Sequence, residues 1–283
     1  MGNTSYSVNN RSTRADSLGY MTASMDSIFE QNTKRMIHES MDPKGITFRE
    51  ARDSDTHPNT VPIILALDVT GSMRKIPHEL IKTGLPKMMD GIISQGVKDP
   101  ALLFLAIGDH VCDHYPLQVG QFESGDEELD TWLTRTYLEG GGGGNEGESY
   151  LLAWYFAANH TITDAWEKRK NKGFLFTVGD EPCLENLPKN VVTALMGAGE
   201  AGGSANDLLE AAQKTFEVYH LHIMEGQRGA SSLGYWKELL GDNCIQIDDH
   251  RNVADAITDI VTKKSSNHNK TERNPSKSED IIL

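Results

Sequence analysis

Cysteine is scarce in this chain: 283 residues carry three, at Cys112, Cys183 and Cys244. An odd number without paired spacing supplies neither a disulfide framework nor a thiolate metal site, and it favours reduced thiols in a cytosol. Long apolar runs are missing too. No stretch approaches the roughly 18 residues that span a bilayer, and the opening MGNTSYSVNNRSTRAD is polar with no apolar signal core. The expectation is a cytoplasmic protein that makes no use of a membrane. Positive charge is in deficit, with 27 Lys and Arg against 41 Asp and Glu and a net charge of −14. That balance argues against nucleic acid as a partner and suits acidic groups gathered around a cation. No GxxxxGK run exists, and the GGGGGN stretch starting at Gly140 lacks the following Lys and Ser or Thr of a phosphate-binding loop.

What is present is an alternation of strands and helices. IILAL, entered through Val61 and Pro62, is a continuous apolar run of the kind that suits a parallel strand buried on both faces. Further runs follow: ALLFLAI (101–107), GFLFTV (173–178), EVYHLHIM (217–224) and NCIQID (243–248). Helical patterns lie between them, at Ile76 to Ile93, Ser149 to His160, Asp207 to Phe216 and Val253 to Thr262. Pro86 breaks or restarts the first of these. LQVGQFES (117–124) suits a short strand on the sheet edge. The fold class is therefore α/β, a Rossmann-like arrangement with a mostly parallel central sheet and helices on both faces. Residues 1–60 read as an N-terminal extension, disordered over 1 to about 22 and helical over 23–40. Residues 61–263 form the main domain, and 264–283 a flexible polar tail.

Function in such sheets gathers at the carboxyl ends of the strands. Three of those ends carry an acid: Asp68, Asp109 and Asp180. In the loop DVTGS, Asp68, Thr70 and Ser72 stand at spacing two, so their oxygens can converge on one point, and Gly71 eases the turn. A carboxylate plus two hydroxyls suits Mg²⁺, which wants oxygen donors with few carboxylates. The plainer reading is a loop whose Asp68 caps the next helix. Asp180 in FTVGDEPC supplies a second acid, or else a helix cap. In GDHVCDHY, His110 and His114 would need a helix to meet. Pro116 argues against one, which leaves a polar loop with Cys112 buried and Asp109 beside the main site. His160, His220, His222, Trp154, Tyr155 and Phe156 stand in apolar surroundings and read as core.

DVTGSM after an apolar strand resembles the metal-ion-dependent adhesion site, D-x-[ST]-x-S, of von Willebrand factor type A (vWA) domains of the intracellular bacterial or phage type. The resemblance covers residues 61 to about 263. It implies a Rossmann-like vWA fold, Mg²⁺ or Mn²⁺, and a non-enzymatic module that binds a protein partner. An Asp or Glu of that partner would complete the metal shell, and the family allows an ATPase or a multi-protein assembly as partner. By the same resemblance Asp180 matches the family's distal Asp. Where the family has a Thr in a glycine-rich loop this chain has Gly144, followed by Asn145. The implied metal set is Asp68, Thr70, Ser72, Asp180 and Asn145, with Asp109, Glu146, Glu148 and Ser149 around it. Two alternatives stay open. DVTGS is also similar to the DKTGT loop of aspartyl-phosphate enzymes, with Asp68 as nucleophile beside Mg²⁺. Against that, Thr70 replaces their second Asp, and Lys172 stands only eight residues before Asp180. The other alternative is a structural vWA component that has lost its metal, as Gly144 would allow.

Overall fold

A computed structural model of the chain describes residues 4–140, 147–197 and 201–272; the side chains of Ser72 and of residues 267–272 lie outside the description. Ten strands occur among the described residues: β1 (Arg49–Ala51), β2 (Val61–Asp68), β3 (Pro100–Ile107), β4 (Leu117–Val119), β5 (Thr161–Thr163), β6 (Gly173–Gly179), β7 (Asn186–Leu187), β8 (Gly203–Ser204), β9 (Phe216–Ile223) and β10 (Cys244–Ile247). The helices before the sheet are α1 (Val8–Leu18), α2 (Met25–Ile28) and α3 (Gln31–Lys34). Those that interleave with it are α4 (Lys75–Glu79), α5 (Leu85–Ser94), α6 (Asp126–Thr134), α7 (Leu151–Asn159), α8 (Asp164–Arg169), α9 (Lys189–Met196), α10 (Ala205–Gln213), α11 (Gly229–Leu240) and α12 (Val253–Glu272).

Six strands make the central sheet, in the order β10-β9-β6-β2-β3-β4. Every pairing is parallel except that of β4, which runs antiparallel to β3 on the edge. β2 is central because both its faces are apolar. Ile63, Leu65 and Leu67 point into one core layer, with α5 and α12, and Ile64 and Ala66 into the other, with α7 and α10. This is the period-two alternation of a strand buried on both sides. The same parity turns Asp68 towards the layer that holds Tyr150, at the N-cap of α7. Among the described residues no helix is long and apolar enough to cross a membrane.

Pro86 acts as expected: α4 passes through a π turn at Leu80–Gly84 and restarts as α5, with the proline in its first turn. The backbone stays helical through the junction, and the Ile81 carbonyl, five residues before the proline, is taken by Arg11 instead. Three expectations need correction. The segment read as disordered, 1 to about 22, contains α1. Its buried Arg11 reaches Asp130 of α6 at 2.9 Å and also donates to the Ile81 carbonyl, while Arg14 bonds Asp126 and Asp130 at 2.6 and 2.9 Å. Acidic partners 112 to 119 residues away supply the order that local composition does not. The single helix expected over 23–40 is two short ones, α2 and α3, parted at Phe29, whose side chain is fully buried. The tail expected to be flexible from 264 continues α12 to Glu272, with Lys264 paired to Glu217 at 3.3 Å.

Candidate metal centre

Asp68 ends β2 and is almost fully buried. Its Oδ1 accepts the N–H of Thr70 at 2.8 Å and the Thr70 hydroxyl at 2.6 Å, the side-chain-to-backbone closure that short polar residues make in tight loops. Its Oδ2 accepts the hydroxyl of Tyr150 at 3.0 Å. On the neighbouring strand, β6 pairs with β2 as far as Leu67 and Val178, and the next residue is Gly179. A Cβ there would fall 1.8 Å from the Tyr150 hydroxyl and 3.0 Å from Asp68 Oδ2, so only glycine lets the two strand ends close. Asp180 follows, buried, with its Oδ2 accepting the N–H of Arg228 at 3.2 Å. The loop after β9 lies so close that a Cβ on Gly226 would stand 1.9 Å from that oxygen.

The chain behind this loop is tied by buried hydrogen bonds. His222 Nε2 lies 2.7 Å from the Gly229 carbonyl and must donate to it. Its Nδ1 then accepts from His220 Nε2 at 3.3 Å, and His220 Nδ1 accepts from the Thr177 hydroxyl at 2.9 Å. His220 stacks on Trp236 at 3.5 Å. Burial holds both imidazoles below their ordinary range, His220 strongly so, which favours their neutral forms. The histidines are core residues, as their apolar neighbours in the sequence imply.

The other sequence candidates are distributed as follows. Ser72 has its backbone in the 3₁₀ turn Gly71–Arg74; its side chain lies outside the described residues. Gly144, Asn145 and Glu146 lie outside them altogether. Ser149 is fully buried, and its hydroxyl takes the His110 N–H at 2.8 Å and lies 2.7 Å from His110 Nδ1. Asp109 is buried beside it, with Oδ1 accepting the Val111 N–H at 2.8 Å. Glu148 is buried too, and its backbone bridges to Pro182 and Leu184 beyond β6. The 109–114 segment is a polar loop without a helix, as expected, but Cys112 is exposed in it and Val111 stands 65% exposed. A loop turned back by its own Asp109 and Asp113 bonds leaves these two side chains facing outward.

Burial raises Asp68, Asp113 and Glu148. Asp68 is pushed up to about 7 by burial, against hydrogen bonds from Thr70 and Tyr150, and the charge of Asp180 adds to the rise. Glu148 is pushed up to about 10 by burial and then by the charges of Asp68, Asp113 and Asp109. Acids that repel one another in a low-dielectric setting are stabilised by a cation. The donor chemistry of the Asp68 loop fits one: carboxylates and a hydroxyl, all oxygen, suit Mg²⁺ or Mn²⁺.

Sequence reasoning passed over Tyr150, Gly179, Gly226 and the Arg228 N–H. Both glycines sit at strand exits beside an acid, in VGDE and MEGQ, which is the available signal. Tyr150 gave none, because it reads as one more aromatic of an apolar helix. Also unforeseen is a group at the same end of the sheet. Among the described residues, Glu225, Asp249 and His250 bring ligand atoms within 4.8 Å of one another. Lys75 at 3.3 Å and His250 at 2.7 Å already meet the Glu225 charge.

No protein-family model and no curated protein matches this chain. Similar solved structures include the pilus adhesin SpaC from Lactobacillus rhamnosus GG, open conformation, at 12% identity over 78% of this chain and 31% of that one, TM-score 0.47. Proximal thread matrix protein 1 from the mussel byssus is 10% identical over 77% of this chain and 49% of that one, TM-score 0.48. The conserved hypothetical protein BatB from Bacteroides thetaiotaomicron is 14% identical over 73% of this chain and 99% of that one, TM-score 0.46. The chain thus spans less than half the length of the first two.

Proposed function

We propose that this chain is a vWA-type binding module that engages a protein partner through a divalent cation, Mg²⁺ or Mn²⁺, at the carboxyl end of its sheet. The observation that carries the reading is the pairing of two buried acids, Asp68 and Asp180, at the exits of the adjacent strands β2 and β6, with the Thr70 hydroxyl on the first. Asp68 and Thr70 would hold the ion with Ser72, and Asp180 would act directly or through water. Bound there, the cation supplies an electrophilic point for an oxygen ligand from the partner. The protein positions it: Tyr150 and the Thr70 N–H orient the Asp68 carboxylate, and the Arg228 N–H orients that of Asp180.

The aspartyl-phosphate reading needs a lysine near Asp68. Lys172 precedes β6 at its amino end, with its Nζ on the Gln213 carbonyl at 2.6 Å, and Asp180 lies past the other end of the strand. Lys75, nearer in the chain, is paired with Glu225 at 3.3 Å, and the two placements together favour binding over phosphoryl transfer. Calorimetry with Mg²⁺ and Mn²⁺ tests the proposal. Binding is expected in the wild type and lost in Asp68→Ala; absence of binding in both overturns it. Affinity capture with and without EDTA then tests whether partner binding needs the metal.

A further inference from the structure

Arg74 closes the 3₁₀ turn that follows Thr70 and contains Ser72, and its guanidinium stays beside that loop. The Gly140 N–H donates to the Val69 carbonyl at 3.4 Å, which ties the chain beyond α6 to the residue between Asp68 and Thr70. Arg74 lies against this tied glycine. A Cβ on Gly140 would stand 2.6 Å from Arg74 Nη1, 3.1 Å from Cζ and 3.4 Å from Nε. Gly140 also has φ +63°, so both the turn and the close approach call for glycine.

What the guanidinium lacks is an acceptor. Its Nε is buried and has no hydrogen-bond partner among the described residues. Lys75, the next residue, already meets Glu225 at 3.3 Å, and no ion pair of the described residues includes Arg74. A guanidinium carries only donors and does not shed its charge by losing a proton. Buried donors are ordinarily bonded, and an unmade bond costs more for a charged group than for a neutral one. Arg74 as a whole is only partly buried, so an acceptor can arrive from outside.

The setting says which kind. Asp68, Asp109, Glu148 and Asp180 are all buried at this end of the sheet. Their charges repel an incoming anion, and one that binds here needs a cation to meet it. Arg74 supplies the charge and the shape, because a guanidinium offers two parallel N–H bonds to the two oxygens of a carboxylate.

We propose that Arg74 is the acid-recognition residue of this rim: a partner segment that docks at the carboxyl end of the sheet presents a carboxylate to its guanidinium. The inference deepens the reading above and rests on it for the place of docking. It makes the partner's surface acidic rather than merely oxygen-bearing, with a contact that a neutral ligand does not make.

The test uses the full chain labelled with ¹⁵N, and acetate as the carboxylate probe at constant ionic strength. The Nε–H signal of Arg74 is the one that vanishes in Arg74→Gln. Acetate is expected to shift it along a saturating curve, and acetamide, the neutral counterpart, to leave it in place. The Gly140 and Thr70 backbone N–H signals read binding in variants that lack the arginine. Acetate affinity should fall at least tenfold in Arg74→Gln, and less in Arg74→Lys, which keeps the charge and loses the fork. Lys75→Gln removes the same charge one residue on and should leave the affinity within twofold. Circular dichroism of each variant checks the fold. A shift that chloride reproduces, a shift that does not saturate, or equal weakening by Arg74→Gln and Lys75→Gln overturns the assignment. Titrations with and without Mg²⁺ separate the two readings. Acetate held through Arg74 in a protein that binds no Mg²⁺ keeps the assignment and sinks the metal. Mg²⁺ bound through Asp68, with acetate indifferent to Arg74, does the reverse.

Discussion

The hydroxyl of Tyr150, fully buried at the head of α7, donates to Asp68 Oδ2 at 3.0 Å, at the end of β2. The bond joins the helix layer to the sheet at a strand exit where one buried acid, Asp68, neighbours another, Asp180, across adjacent strands. It fixes the direction of the carboxylate, and it leaves Oδ1 to Thr70.

Tyr150→Phe should therefore loosen that carboxylate. The loss of a donor to a buried acid is expected to cost about 1–3 kcal/mol of stability in the metal-free protein. Urea denaturation of the two proteins measures it. A second effect is weaker Mg²⁺ binding, because Asp68 would need to be ordered on binding.

Gly179→Ala should be among the most damaging small changes. Its Cβ would meet the Tyr150 hydroxyl at 1.8 Å, and overpacking of this kind costs about 1–3 kcal/mol. Thermal melts should show the loss. Pairing the change with Tyr150→Phe, which removes the obstructing oxygen, should recover part of it; no recovery would assign the strain to the backbone.

Metal should protect the fold. If Mg²⁺ binds only the native chain, stability rises by about 2.7 kcal/mol at a free concentration a hundred times its Kd. A matching rise in Tm is expected in wild type and not in Asp68→Ala. Equal rises in both would place the ion elsewhere.

Acid should find a different weak point. Burial raises the Asp164 carboxyl, but hydrogen bonds from Lys168, Arg52 and the Asp53 N–H hold it down to about 2. A depressed acid stabilises the fold above its ordinary range, near 4, and that contribution fades as pH falls towards 2. Denaturation midpoints taken from pH 5 to pH 2 should drop more steeply in wild type than in Asp164→Asn. Parallel curves would remove Asp164 from the account.

The latch between α1 and α6 gives a stability prediction. Arg11→Ala leaves Asp130 buried with Arg14 as its remaining partner, and breaking a buried pair costs about 3 kcal/mol. Proteolysis within residues 8–18 should speed up in that variant before the sheet is lost.

The sheet was legible because its signal is local. ALLFLAI and GFLFTV are apolar throughout, and strands buried on both faces must be. Asp68, Thr70 and Asp180 were legible for the same reason, as polar residues at the exits of such runs. What stayed hidden depends on distant partners. Nothing near Arg11 announces Asp130, and nothing near Tyr150 announces Asp68. Glu148 was visible as an acid after the glycine run, but not as a buried one, because its burial comes from the bridge to Cys183 and from the 108–110 loop.

The α1 latch also sets how this protein would answer to force. Arg11 and Asp130 turn the intervening chain into a closed loop, with the Ile81 carbonyl gripped on the way. A pull on the segment ahead of α1 loads that ion pair together with the Ser7 N–H bond to Asp126. Tension applied there crosses from α1 to α6 and bypasses the chain between Arg11 and Asp130, β1 to β4 included, for as long as the arginine holds.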